Sequence, residues 1–348
     1  MRKRVHIVAD DLTGALDSAA TFAARGARVR VACRPADLPE ALASEAEVIA
    51  VATGTRDGPE AEAIQIARQV AGALSGQDGI LFKKIDSRLK GHIGAELAQL
   101  AAPGAPLVVN PAIPKLGRHC LGGAVTGAGV DTPIPIAPRL GRTVAVPDTR
   151  SAEDLDAQLP DTLEGAVLVG AAGLAEALAT RLWPHPDAPT PAASASLPLT
   201  RPALLAIGSR DPVTGAQLEA LQDVPLLNAP NGASPALPGP AEAPLLVIRM
   251  TPGETVIPGA EAGAAFARTI AAAQAHLQPA TLFACGGESA AALLADLGIG
   301  QLDVLGEALP GVPVSRPASG HKFTLVTKSG GFGAPDTLVK LVKMLASD

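Results

Sequence analysis

The sequence predicts an α/β protein of two domains, each with a mainly parallel sheet flanked by helices. Three observations lead there. At 348 residues the chain exceeds the roughly 250–300 residues at which a single core stops growing. Short apolar runs alternate with helical stretches in both halves, the pattern of parallel strands joined by crossover helices. Between the halves lies HPDAPTPAASASLPLTRP, whose Pro and small polar residues cannot build a core. These observations place an N-terminal domain at 1–185, a linker at 186–202 and a C-terminal domain at 203–348.

The first strand is VHIVA (5–9), ending in Asp10-Asp11. A helix follows Thr13-Gly14 and stops at Gly26, since glycine ends helices readily. VRVAC and EVIAVAT (47–53) are further strands, and EAEAIQIARQVAGAL has the apolar spacing of an amphipathic helix. ILFKKIDS (80–87) begins as a strand and ends in polar residues. HIGAELAQLAA starts a helix, and PLVVNPA (106–112) is another strand. Between 113 and 150, Pro and Gly loosen the pattern. It resumes with SAEDLDAQL, AVLVG and GLAEALATRLW as helix, strand and helix. The second half opens with the strand ALLAIGS (203–209), then the helix VTGAQLEAL, the strand LLVIRM (245–250) and the long helix AGAAFARTIAAAQAHL. TLFACGGESAAALLADLG and FTLVTKSGGFGAPDTLVKLVKML each read as strand, glycine turn and helix.

An apolar fraction of 47% and a mean hydropathy of +0.27 exclude a disordered chain. Aromatics are only 2%, with no Tyr, so Ala, Leu, Val and Ile must build the cores. The net charge is -6 with no basic block and few rings to stack on bases, which argues against a nucleic-acid partner. A few local Arg or Lys can still hold a small anion. Cys33, Cys120 and Cys285 have no close spacing, against a disulfide scaffold or a zinc site. The start MRKRVHIVADDLTG turns acidic too soon for a signal peptide, and no apolar run approaches the ~20 residues of a membrane span. A cytoplasmic protein without a membrane partner is expected.

Four segments carry candidate chemistry. Asp10 and Asp11 stand at the end of a first strand, where α/β proteins bind ligands; one can orient or deprotonate a hydroxyl, or one can simply cap the next helix. Lys83 to His92 packs Lys84, Asp86, Ser87, Arg88 and His92 beyond another strand. Arg offers a carboxylate a planar fork, while the bland alternative is a solvated turn. Arg56 is a weaker candidate. Gly286-Gly287-Glu288-Ser289 and the loop with Gly330, Gly331 and Gly333 can present backbone N–H groups to phosphate, or cap helices. With Gly208-Ser209 they favour a nucleotide, yet neither matches the P-loop or the dinucleotide fingerprint. His6 reads as a core residue and Cys285 as a small buried thiol. His119 can touch substrate.

Read together, IVADDLTGALDSAATFA (7–23), FKKIDSRLKGHIGAEL (82–97), NPAIPKLGR (110–118), VLVGAAGLAEALA (167–179), FACGGESAAALLADLGI (283–299) and LVTKSGGFGAPDTL (325–338) resemble the four-carbon acid sugar kinase family. The resemblance spans almost the whole chain. It implies an N-terminal acid-sugar domain, a C-terminal nucleotide domain, and transfer of the ATP γ-phosphate to the terminal hydroxyl of D-threonate, D-erythronate or a 3-oxo-tetronate. It implies Mg²⁺ with the ATP, and family habit suggests a homodimer; no protein residue is singled out as a metal ligand. Asp11, Arg56, Lys84, Asp86, Ser87 and Arg88 match substrate-site positions. Ser209 and the 286–289 and 330–333 loops match nucleotide positions. Asp11, ahead of Asp10, would accept the hydroxyl proton. Asp86 and Ser87 would fix hydroxyls, and Arg56 with Arg88 or Lys84 would neutralise the carboxylate.

The chain departs from the family at Ser87-Arg88-Leu89-Lys90-Gly91-His92, where the family has S-T-L-R-G-N. It departs again after Arg118, where a segment is shortened to GGAVTGAGVDTPIPIAP, and at Gly170-Ala171-Ala172-Gly173-Leu174 in place of G-S-A-G-L. The chain is also shorter than usual members. All but the length fall in the expected substrate domain, so the acceptor is left open, as is an inactive or repurposed relative. A non-catalytic acid-sugar or nucleotide-binding protein is one rival reading. An NAD-dependent dehydrogenase is another, although the first strand leads into two aspartates rather than a glycine fingerprint.

Overall fold

The computed structural model describes residues 3–184, 197–242 and 244–345. The chain divides into two compact units, Met1–Pro189 and Thr190–Asp348. Of the expected linker, 186–196 lie outside the described residues. The rest of it is packed: Leu199 is buried in the second unit's core, and the Thr200 N–H donates to Thr281 Oγ1.

The first unit starts with β1 (Val5–Ala9), a run fully buried on both faces. Strands of parallel sheets covered by helices on both sides need such continuous apolar runs. β1 lies between β3 (Val48–Ala52) and β4 (Ile80–Lys84) in parallel register, Ala9 opposite Ala52 and Lys84. β2 (Val29–Ala32) pairs outside β3, while β9 (Val167–Gly170) and then β5 (Leu107–Asn110) extend the sheet beyond β4. The chain thus builds on one side of β1 and then crosses to the other, the topology in which α/β sheets place ligand sites at the strand C-terminal ends. Asp10-Asp11, Thr53 to Arg56 and Ile85 to Ser87 all leave the sheet at that edge.

Helices cover both faces. α1 (Leu12–Ala23) is buried nearly all round, its Ala, Ser and Gly side chains allowing close contact with α7 (Ala172–Leu182). α3 (Glu60–Leu74) buries only Ala63, Ala67 and Val70 and packs on α4 (Ile93–Leu100). α2 (Leu38–Leu42) and α6 (Ala152–Gln158) are short. Few rings are needed: Phe22 and Phe82 are fully buried, and Phe22 meets Trp183 edge-on at 5.6 Å. The loosened segment 113–150 is more ordered than its composition suggests. It holds an antiparallel sheet of β6 (Arg118–Leu121), β7 (Ala124–Gly127) and β8 (Val130–Pro135), followed by α5 (Ala137–Leu140). Cys120, Val125 and Ile136 tie it into a core with Val109 and Val169.

In the second unit, β11 (Leu226–Pro230), β12 (Leu245–Thr251), β10 (Ala203–Ile207), β13 (Thr281–Cys285) and β16 (Thr324–Lys328) run parallel in that spatial order. β14 (Gln301–Leu309) and β15 (Val312–Pro317) form an antiparallel hairpin that pairs through β15 to β16. α8 (Pro212–Ala220), α9 (Gly259–Leu277), α10 (Gly287–Asp296) and α11 (Thr337–Met344) complete the unit. β11 and the hairpin were not read from the sequence. No helix among the described residues is long and apolar enough to cross a membrane.

Candidate functional site

The carboxylates at the end of β1 do different jobs. Asp10 is 2% exposed and takes a two-pronged grip from Arg56, Nε to Oδ2 at 2.9 Å and Nη2 to Oδ1 at 2.7 Å. Burial works against its charge, but the Arg56 hydrogen bonds and the charges of Arg56, Lys83 and Lys84 hold its pKa below the ordinary carboxylate range. Asp11 caps α1: its Oδ1 accepts from Gly14 N–H at 2.9 Å and from Arg56 Nη2 at 2.7 Å, and its Oδ2 accepts from Thr13 Oγ1 at 2.7 Å. Capping and ligand-facing positions therefore coexist in one side chain. Gly14 is required here, since a methyl would overlap Asp11 Oδ1 and stand 3.0 Å from Lys84 Nζ. Lys84 is buried and donates to Ile85 O at 3.0 Å.

Asp86 makes its own turn, Oδ1 accepting from Arg88 N–H at 2.9 Å, while Oδ2 lies 4.0 Å from Arg56 Nη1. Arg56 thus faces Asp10, Asp11 and Asp86, all from its own chain. Ser87 Oγ accepts from Arg118 Nη1 at 2.6 Å. Arg88 is half-buried, with no ion pair for its guanidinium among the described residues. His92 is anchored elsewhere: Nε2 is 2.7 Å from Gly58 O, and Nδ1 is 3.7 Å from Glu60. Gly91, at φ +87, brings its backbone over Asp10, and a methyl there would stand 2.9 Å from Asp10 Oδ2.

Below this cluster runs a buried chain that motif reading missed. Lys83 pairs with Glu96, Glu96 accepts from Thr55 Oγ1, and Thr53 Oγ1 lies within hydrogen-bond distance of both Thr55 Oγ1 (2.8 Å) and Ala9 O (3.0 Å), sharing its one proton between them. Both ions are almost fully buried, and together they fix the loop that carries Arg56. Asp17, inside α1, is pushed up to about 6 by burial first, with Lys84, Asp11, Glu176 and Lys115 acting on it. His6 is buried on β1, and burial lowers its pKa.

In the second unit, β10, β13 and β16 bring three glycine segments together at their C-terminal ends. Gly208 and Ser209 N–H donate to Cys285 O at 3.0 and 3.1 Å, and Gly286 N–H donates to Lys328 O at 2.9 Å. Packing leaves no room for side chains: a methyl on Gly208 would overlap Ser289 Oγ, and one on Gly330 would overlap Ser209 Oγ. Gly286 has φ +108, and α10 starts at Gly287. Glu288 is exposed in that first turn.

Lys328, not singled out by its motif, organises the last loop. It is 1% exposed, and its Nζ donates to the carbonyls of Ser329 (2.8 Å), Gly330 (3.3 Å) and Phe332 (3.0 Å). Burial lowers its pKa. In a trans peptide the N–H points opposite to the C=O, so the N–H groups of Gly330, Gly331 and Gly333 point away from Lys328. None of the three has an acceptor among the described residues. Thr214 Oγ1 holds Gly330 O at 2.8 Å, and Gln217 Nε2 holds the carbonyls of Phe332 and Ala334 at 3.0 Å each. Unpaired backbone N–H groups of this kind can receive an anion. Asp211 caps α8 through Oδ1, while Oδ2 would be 3.2 Å from a methyl on Gly331. No cluster of three or more metal-ligating side chains occurs among the described residues. Mg²⁺ commonly uses one or two carboxylates plus the phosphates themselves, and Asp211 fits that need.

Residues 5–137 match the family described as sugar-binding N-terminal domain, and residues 247–338 match the nucleotide-binding C-terminal domain. A D-threonate kinase of Cupriavidus necator is 30% identical, covering 95% of each chain. A D-threonate kinase of Bordetella bronchiseptica is 28% identical over 98% of this chain and 97% of its own. A crystal structure from Salmonella typhimurium superposes with a TM-score of 0.74 at 19% identity, over 99% of this chain and 100% of that one, and so shares the fold. On the full-length relationship to the Cupriavidus enzyme and the paired domain matches, the chain belongs to the four-carbon acid sugar kinase family.

Proposed function

We propose that this chain is an ATP-dependent kinase for the terminal hydroxyl of a four-carbon sugar acid such as D-threonate, D-erythronate or a 3-oxo-tetronate. The domain proposed at 1–185 would hold the acid and that at 203–348 the nucleotide. The observation that carries the reading is the Lys328-ordered glycine loop, with three N–H groups directed outward in the unit that matches a nucleotide-binding domain.

In this mechanism the backbone N–H groups of Gly330, Gly331 and Gly333 hold phosphate oxygens, with Ser209 and Ser289 beside them. Asp211 would hold Mg²⁺, which when bound neutralises phosphate charge. Of the two aspartates, Asp10 is closed by Arg56, whereas the Asp11 side chain keeps 18% exposure. Asp11 therefore receives the hydrogen bond of the acceptor hydroxyl. As the hydroxyl oxygen forms its bond to the γ-phosphorus, the bond to the β-γ bridging oxygen breaks, ADP leaves, and the hydroxyl proton passes to Asp11. Its three existing hydrogen bonds fix the Asp11 carboxylate in place, which suits a loose phosphoryl transfer in which orientation counts for more than proton abstraction.

The test is ADP release from Mg-ATP against a panel of C4 to C6 sugar acids. Acid-dependent release that falls at least ~100-fold in Asp11→Ala, with ATP still raising the melting temperature, is the expected result. Silence across the panel without an ATP-dependent shift overturns the reading and favours a non-catalytic binding protein.

A further inference from the structure

The charges of the first unit are unevenly matched. Arg56 faces three carboxylates. Arg118, at the start of β6, is 8% exposed and faces none within ion-pairing distance among the described residues. Its Nε and Nη2 donate to Ala128 O at 3.1 and 2.7 Å, and its Nη1 donates to Ser87 Oγ at 2.6 Å. A guanidinium carries five N–H donors, so one remains on each terminal nitrogen, the pair that forms a fork. Burial and the neighbouring charge of Arg88 lower its pKa, with Asp86 opposing them. A buried cation placed beside a second cation is costly unless an anion joins them. Gly129, at φ +70 and with room for a methyl only 3.1 Å from Arg118 Nη2, lets the β7–β8 turn hold the Ala128 carbonyl against the guanidinium.

We infer that Arg118, Arg88 and Ser87 form the seat for the substrate's carboxylate, a role that Arg56 is not placed to fill. The inference rests on the acid-sugar reading above and names the end of the substrate that each cluster takes. Asp86 neighbours both Arg56 and Arg118, so a short polyhydroxy acid anchored by its carboxylate at Arg118 passes Asp86 with its middle hydroxyls and directs its terminal hydroxyl to Asp11. The antiparallel sheet of β6, β7 and β8 then has a function: it holds the carboxylate anchor.

The test measures calorimetric binding of D-threonate and D-erythronate, with the neutral tetritols threitol and erythritol as controls. Arg118→Lys keeps a charge but loses the fork, and Arg88→Gln removes a half-exposed charge without touching the β6–β8 packing. Each variant is expected to weaken acid binding about tenfold or more, to raise KM for the acid in parallel, and to leave tetritol binding within about twofold. Should Arg118→Lys melt early, Arg88→Gln decides alone. Acid bound or turned over with unchanged affinity in both variants overturns the seat and leaves the kinase reading intact. Acid bound through Arg118 without ADP release overturns the kinase reading and supports the seat. No binding by the wild-type protein of any acid in the C4 to C6 panel overturns both.

Discussion

Arg56 closes on Asp10 with two parallel hydrogen bonds of 2.9 and 2.7 Å, and the same Nη2 reaches Asp11 at 2.7 Å. One guanidinium therefore sets the position of both carboxylates at the end of the central strand. Removing one member of a buried ion pair leaves an uncompensated charge, which costs about 3–5 kcal/mol. Arg56→Met should lose that much in urea unfolding at pH 7. The folded-state pKa of Asp10 is depressed from its ordinary 3.8, so its contribution is fully present above that pH and is lost as pH falls through the lower folded value. The gap between Arg56→Met and wild type should accordingly narrow in acid. A gap that stays constant from pH 7 to pH 3 would show that Arg56 acts through packing.

Asp17 works in the opposite sense. Burial pushes its carboxyl up to about 6 from an ordinary 3.8, so ionisation costs the folded state increasingly as pH rises between those values, and the full cost persists above. Asp17→Asn should stabilise the protein by about 2–3 kcal/mol at pH 8 and have no effect at pH 4. Melting curves across this range check the prediction, and equal effects at both pH values would contradict it.

Lys328 turns three carbonyls inward, and the glycine N–H groups outward follow from that. Lys328→Met keeps the stem but removes the donors. ATP affinity should fall about tenfold or more, while the sugar-acid-dependent rise in melting temperature is retained. Loss of both responses would point to general unfolding rather than to a disordered cradle.

Gly330 and Ser209 share one space. A methyl on Gly330 would overlap Ser209 Oγ and stand 3.0 Å from its Cβ. Gly330→Ala should cost about 1–3 kcal/mol and weaken ATP binding, and adding Ser209→Gly should recover most of the stability. Failure of the double variant to recover would mean that backbone conformation at 330, rather than the clash, sets the requirement.

Much of the fold was legible because its strands are continuous apolar runs and its helices carry apolar residues every three or four positions. Val5–Ala9, Glu60–Leu74 and Thr281–Cys285 follow that rule. The β6–β8 sheet was not legible. Its strands are four to six residues long, and its Gly and Pro residues read equally as loop until the strands pair. The β14–β15 hairpin was hidden similarly, although Pro310-Gly311 is a turn signal. Among site candidates, Asp10, Asp11, Arg56 and Asp86 do meet in one cluster, and Ser209, Gly286, Ser289 and Gly330 meet in another. His92 is bound to Gly58 O instead.

By itself the sequence determined the two α/β units and which strand ends carry clustered polar residues or glycines, because periodicity and turn residues act locally. Only the tertiary structure decided how charges are shared. That Arg56 serves Asp10 and Asp11, that Lys83 answers Glu96, and that Arg118 stands beside Ser87 with no carboxylate in ion-pairing distance among the described residues depend on residues 13 to 46 positions apart in the chain. Coulomb energy depends on distance and burial in space, and strand order rather than sequence separation sets both.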